Sequence, residues 1–367
     1  MALEQIAESN RLKVHTRLRG LDSLRGIAAI AVVLYHYTYG YTEFPGVALR
    51  IHSPGEKHMP GLDLVATNGH FGVYLFFIIS GFVIFMTLER SPGMVDFSVS
   101  RFARLWPPYL VCAGLTSSLI VLSDFNPFHL TVKDALLNVL MMNRLLGNVA
   151  IDPSYWTLTY EVLFYAGAAM IFFCFRLRRI EWACLAWLGL AFGARISSFG
   201  ANHQRIGVLL DVDYCHFFVL GMMIYLISQR RNTWLTTSTA ILAYAMTLFG
   251  PANNPGALKL WQFMLLMALF ALAVLLIAER KIRFLDMGPF LFLGEISYSL
   301  YLVHQVAGYC VIRELEAVGW HLNYAVWAAV LVAIVLATCV RKWVEVPAQK
   351  AIRGWYRETG KRLLGSY

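Results

Sequence analysis

Apolar residues along this chain come in blocks of about twenty, separated by short polar connections in which arginine and lysine gather. A block of that length crosses the hydrocarbon core of a bilayer as one helix. Ten such spans are predicted, at residues 24–42, 70–88, 105–123, 156–175, 180–199, 207–227, 234–250, 258–278, 290–311 and 322–345. The seventh is short and rich in Thr and Ser. Residues 131–143 carry an apolar run too short to cross, and a helix lying at the interface is expected there. Pro107 and Pro108 are expected to open the third span, because a first helical turn tolerates proline. No internal repeat is visible, nor a matched pair of interrupted spans of the transporter type. The fold class is therefore all-α: a polytopic membrane bundle of about ten helices over residues 21–353, with tails at 1–20 and 354–367.

Charge orients the bundle. If the spans alternate in direction, 23 of the 31 lysines and arginines fall on the side of the N-terminal tail and eight on the other. That asymmetry predicts both termini in the cytoplasm and an even number of spans. Residues 1–20 mix acidic and basic side chains, with no small-residue cleavage site after the first apolar run, so the first span is expected to stay as an anchor.

Composition narrows the function classes. Hydrophobic residues make up 58% of the chain and charged ones 14%, against roughly half and a quarter in a soluble domain. The net charge of +9 does not read as a nucleic-acid surface, because the bases lie between spans and form no stripe. The six cysteines (Cys112, Cys174, Cys184, Cys215, Cys310, Cys339) are scattered in apolar segments without metal spacing, and read as structural thiols. No metal site is expected.

Ionisable groups within the spans carry the candidate chemistry, since they are costly there. Asp22 and Arg25, three apart, share a helix face. Arg25 and His36, eleven apart, share it too, roughly 16 Å along the axis. A neutral imidazole at His36 can take a proton from a hydroxyl or briefly carry an acyl group; a structural histidine bonded between helices is the alternative. Arg101 and Arg104 can aim two guanidinium forks at one phosphate-bearing ligand, although anchoring at the headgroups is the simpler reading of the spacing alone. Glu161 stands about one and a half turns into the fourth span, expected near the outer side and in the same half of the bilayer as His36. Ser297, Tyr301 and His304 form a polar stripe on the ninth span, which suits contact between helices as readily as contact with substrate. Asp211, Asp213 and His216 are expected in a wet outer vestibule, and His52, His58 and His70 as solvated residues in or beside the first outer loop.

Together these residues resemble the acyltransferase 3 family of integral membrane acyltransferases. The matching stretches are Leu21-Asp-Ser-Leu-Arg-Gly26 with Tyr35-His36, Gly72 to Phe82, Arg101-Phe-Ala-Arg104 with Trp106-Pro107, Trp156 to Glu161, Ser297 to His304, and Val344-Glu-Val-Pro347. Many relatives carry Gly where this chain has Ser23. The resemblance implies a multi-pass protein of a bacterial cytoplasmic membrane, with no bound cofactor. Acyl-coenzyme A, most often acetyl, would be the co-substrate, and a hydroxyl of an envelope or exported glycan or glycolipid the acceptor. In that reading His36, with Asp22, Arg25 and Glu161, forms the catalytic group, Arg101 and Arg104 bind the donor, and Ser297, Tyr301 and His304 contact the acceptor or support the site. The competing reading is a glycan or lipid transporter that uses His36 and Glu161 as a proton relay.

Overall fold

The computed structural model describes residues 18–44, 46–48, 63–127, 129–175, 180–197, 203–249, 258–282 and 284–364, and these are helical or connecting with no strand among them. His52 and His58 lie outside the described residues. Eleven principal helices follow in order: α1 (Arg19–Tyr35), α2 (Gly72–Arg90), α3 (Met94–Leu122), α4 (Trp156–Phe175), α5 (Ile180–Ile196), α6 (Cys215–Ser228), α7 (Trp234–Met246), α8 (Leu260–Ala278), α9 (Gly288–Ala317), α10 (Leu322–Val340) and α11 (Val346–Leu364). Among the described residues, each of the ten predicted spans overlaps helix. Among the described residues, five stretches are long and apolar enough to cross a membrane: Asp63–Arg90, Met94–Leu122, Pro153–Phe173, Leu260–Ala278 and Leu322–Thr359. The chain is a multi-pass membrane protein.

The boundaries depart from the hydropathy pattern where polar residues ride on a helix. α3 begins at Met94, so Pro107 and Pro108 sit inside it rather than opening it. Beside them the Leu105 carbonyl accepts from the Tyr298 hydroxyl at 2.9 Å, giving α3 a polar contact on α9. The sixth predicted span is two helices, His203–Leu209 and α6, broken at 210–214, where Asp211 takes a left-handed φ of 51°. The predicted tail boundary at 353 falls within α11.

Two segments widen into π-helix: His36–Gly40 after α1 and Arg341–Glu345 between α10 and α11. Such widenings re-aim side chains and are frequent at working sites. The core forms where α1 crosses α9 on Gly26 and Gly294, and α2 crosses α6 on Gly81 and Gly221. A Cβ at any of these four would come within 2.0–2.5 Å of facing backbone. Only glycine lets helices approach so closely.

Candidate active site

The two histidines singled out on separate spans meet. His36 Nδ1 lies 3.0 Å from His304 Nε2, and His304 Nδ1 lies 2.8 Å from the Tyr301 carbonyl. A carbonyl oxygen can only accept, so a neutral His304 ring donates from Nδ1 and presents a lone pair at Nε2. That lone pair takes the Nδ1 proton of His36. The remaining nitrogen of His36, Nε2, is thereby left with its lone pair free to take a proton. His36 is half-buried and retains solvent access, whereas His304 is fully buried. This is the geometry of an oriented base: one ring holds the tautomer of another.

Several side chains clamp the His304 segment. The Tyr37 hydroxyl donates to the His304 carbonyl at 2.6 Å, and the Tyr155 hydroxyl to that of Leu302 at 2.7 Å. Asp152, buried ahead of α4, accepts from the Val306 N–H at 3.1 Å through Oδ2, and from the Ser154 N–H and hydroxyl at 2.9 and 2.6 Å through Oδ1. The Tyr301 hydroxyl reaches the Ser154 carbonyl at 2.8 Å and the Thr157 hydroxyl at 2.9 Å. The start of α4 is therefore tied to the middle of α9. Sequence reasoning missed this clamp: it does not single out Asp152, and although that residue caps the turn at Pro153, nothing in its local sequence points to α9.

A crevice of about 470 Å³ opens at one end of the bundle, walled by Asp22, Arg90, Arg104, Arg341, Glu345 and Arg353 among others. The starts of α1 and α11 both border it. Through Ser297 and Tyr298 it adjoins a narrow cavity of about 30 Å³, whose wall includes Arg25, Ser80, Thr157, Glu161 and Tyr301. A second narrow cavity of about 20 Å³, lined by Arg25, Arg101, Arg104, Glu161 and Tyr165, shares walls with both. Arg104 makes no hydrogen bond or ion pair within the described protein, and the buried Nε of Arg101 has no partner there. Arg341 pairs with Glu295 at 3.0 Å, and Arg353 donates to the Ser100 hydroxyl at 3.0 Å.

The predicted residues therefore fall into two groups. Asp22, Arg25, Arg101, Arg104 and Glu161 gather on the crevice and its inner extensions. His36 and His304 form a pair beyond Tyr301, whose ring lies 5.6 Å from that of His304, and Ser297 and Tyr301 line the narrow cavity on the crevice side. Glu161 does not sit beside His36. It accepts from the Tyr165 hydroxyl, and from that of Ser80 at 3.2 Å, within electrostatic reach of Arg25, Arg101 and Arg104. The reason is depth: α4 starts level with Tyr301 inside the bundle, so a residue further along it lies toward the arginines. No hydrogen bond links Glu161 to His36 among the described residues. His70 is no solvated loop residue either. It packs 4.7 Å from the Tyr35 ring and 4.0 Å from Phe71, with Nδ1 buried. Asp211 and His216 are buried without hydrogen-bond partners for their side chains, and only Asp213 of that group reaches solvent, paired with Arg195 at 3.0 Å.

Comparison with known proteins adds a name to the architecture. Residues 18–341 match a family model described as an acyltransferase domain. The exopolysaccharide production protein ExoZ of Rhizobium meliloti (strain 1021) is 29% identical over 319 residues, covering 82% of this chain and 95% of that protein. Acyltransferase MdmB of Streptomyces mycarofaciens is 26% identical over 339 residues, covering 84% and 83%. An O-acetyl transferase of Shigella phage Sf6 is 28% identical over 156 residues, 39% of this chain and 43% of its own length. No solved structure matches the chain.

Proposed function

We infer, for a chain that belongs to the acyltransferase 3 family, that this membrane acyltransferase moves an acetyl group from acetyl-coenzyme A to a hydroxyl of an envelope or exported glycan. The observation that carries the reading is the line of cavities from the arginine-walled crevice to Tyr301, whose ring lies 5.6 Å from that of His304 in the His36–His304 pair. Names of relatives support the direction: an O-acetyl transferase and an exopolysaccharide production protein are among them.

The chemistry follows from the geometry. Coenzyme A carries phosphates at one end and the thioester at the end of a long, thin arm. Arg90, Arg104 and Arg353 at the crevice supply charge-assisted donors to the phosphates. The cavities beyond, about 20–30 Å³, hold only a water or two, so they must widen to admit the thin arm and exclude a sugar ring. His36 Nε2 takes the proton of the acceptor hydroxyl as its oxygen attacks the thioester carbonyl carbon. The carbon–sulfur bond then breaks, and the departing thiolate takes the proton from the imidazolium. His304, held by the Tyr301 carbonyl, steadies that imidazolium during the step. Arg25, Asp22 and Glu161 belong in this reading to the donor path, Arg25 lying about three helical turns from His36 along the same helix.

Because acetyl-coenzyme A does not cross a bilayer, sidedness tests the reading. The predicted topology turns the crevice to the cytoplasm, so inside-out vesicles with labelled acetyl-coenzyme A added outside should label the glycan. Right-side-out vesicles should not. Labelling from the opposite face alone would overturn the assignment of the crevice as the donor entrance.

A further inference from the structure

A second cluster lies at the other end of α2. Tyr74, near the start of α2, is 16 residues from Arg90 of the crevice, about 24 Å along the helix. Its ring stacks on Tyr214 at 6.3 Å, and Tyr160 meets Tyr214 edge-on at 4.8 Å. Trp156 completes the wall 5.1 Å from Tyr214, and the Arg144 guanidinium lies 5.8 Å from the Trp156 ring centre. Asp213, with a side chain 40% exposed, acts electrostatically on all three tyrosines while its carboxylate pairs with Arg195.

The hydroxyls set this cluster apart. Elsewhere in the core, tyrosine hydroxyls are bonded: those of Tyr37, Tyr109, Tyr155, Tyr298 and Tyr301 all donate to backbone carbonyls. The hydroxyls of Tyr74, Tyr160 and Tyr214 have no hydrogen-bond partner within the described protein, and none is sealed from solvent. Three unbonded phenols, two half-buried and that of Tyr160 on a ring 5% exposed, with an accessible carboxylate nearby and aromatic faces between them, match a pyranose ring, which offers hydroxyls at its rim and C–H groups on its faces. The cluster also borders the narrow cavity. Phe77 lines the narrow cavity and lies 5.2 Å from Tyr214, and Trp156 precedes Thr157 of the cavity wall.

We propose that the aromatic cluster of Tyr74, Tyr160, Tyr214 and Trp156, with Asp213, is the subsite that binds the acceptor sugar, at the end of the bundle opposite the donor crevice. This rests on the acyl-transfer reading and adds to it where the second substrate docks. Hydroxyls of the sugar hydrogen-bond to the phenols and to Asp213, and Arg144 adds a cation for acidic sugars.

The test uses the purified full chain in lipid nanodiscs, labelled acetyl-coenzyme A, and the host's own envelope glycan released by mild acid. Tyr160→Phe and Tyr214→Phe keep the rings and remove only unbonded hydroxyls, so folding is unaffected. Each is expected to raise the KM for glycan about three- to tenfold, with the KM for acetyl-coenzyme A unchanged. The double variant should exceed either alone. An unchanged glycan KM in the double variant overturns the proposal. Calorimetric titration with the same glycan, without acetyl-coenzyme A, keeps the two readings apart. Wild-type binding that weakens in the double variant supports the subsite even if no label is transferred, and equal binding by both proteins rejects it.

Discussion

Gly26 and Gly294 set the register that brings His36 to His304. A Cβ at Gly294 would lie 2.3 Å from the Asp22 carbonyl oxygen, and one at Gly26 would lie 2.5 Å from the Gly294 nitrogen. The two histidines each follow their glycine by ten residues, so α1 and α9 run parallel in a shared register that delivers both rings to one level. Gly294→Ala should lose about 1–3 kcal/mol of stability through overpacking. A thermal melt in detergent should record a lower Tm together with lost transfer. Gly114→Ala, on a face with nothing within 4 Å, should leave both intact.

In the proposed mechanism His304 acts through His36 and need not touch substrate. His304→Ala removes the acceptor that holds the His36 Nδ1 proton, so either tautomer becomes available to the base. Steady-state kinetics should find kcat down about 10²-fold, at the low end of what a positioned acid–base group contributes. The KM for acetyl-coenzyme A should stay within a factor of three. A loss confined to KM would mean that His304 belongs to the donor path instead.

Arg353 borders the crevice, where the phosphates of the donor are placed in this account. Arg353→Ala should raise the KM for acetyl-coenzyme A about tenfold, as expected for one charge-assisted hydrogen bond. Acetyl-pantetheine, which lacks the nucleotide and its phosphates, should be used equally by wild type and variant. An equal loss with both donors would rule out phosphate recognition at this arginine.

Asp152 joins the turn before α4 to the backbone of α9. Asp152→Ala would leave the Val306 and Ser154 donors without their carboxylate partner, at a cost of about 1–3 kcal/mol for each group left buried and unpaired. Chemical or thermal unfolding should register that loss, and transfer should fall as the His304 segment loosens.

Much of this architecture was legible in the pattern of the chain. His36, Arg25 and Glu161 stood out because polar groups in apolar blocks are costly, and the stripe Ser297, Tyr301, His304 because helical spacing puts it on one face. What periodicity could not give was pairing across 268 positions: the His36–His304 contact depends on how α1 and α9 pack. The depth of Glu161 was misjudged for the same reason, since the start of α4 is set by Tyr155 and Ser154 bonding into α9 rather than by the bilayer edge. Pro107 and Pro108 marked a hydropathy boundary and not a helix end, because the polar turns ahead of them carry Arg101 and Arg104 on continuous helix. The π-turns at His36 and Arg341 left no mark in composition.

The most direct test of the account is transfer of labelled acetyl from acetyl-coenzyme A to the host glycan by purified His36→Ala, compared with wild type at matched folding, as judged by Tm. The account predicts that wild type labels the glycan and that the variant, still folded and still binding acetyl-coenzyme A, does so at least a hundredfold more slowly, the scale of a lost general base. Transfer at the wild-type rate by the folded variant would contradict it.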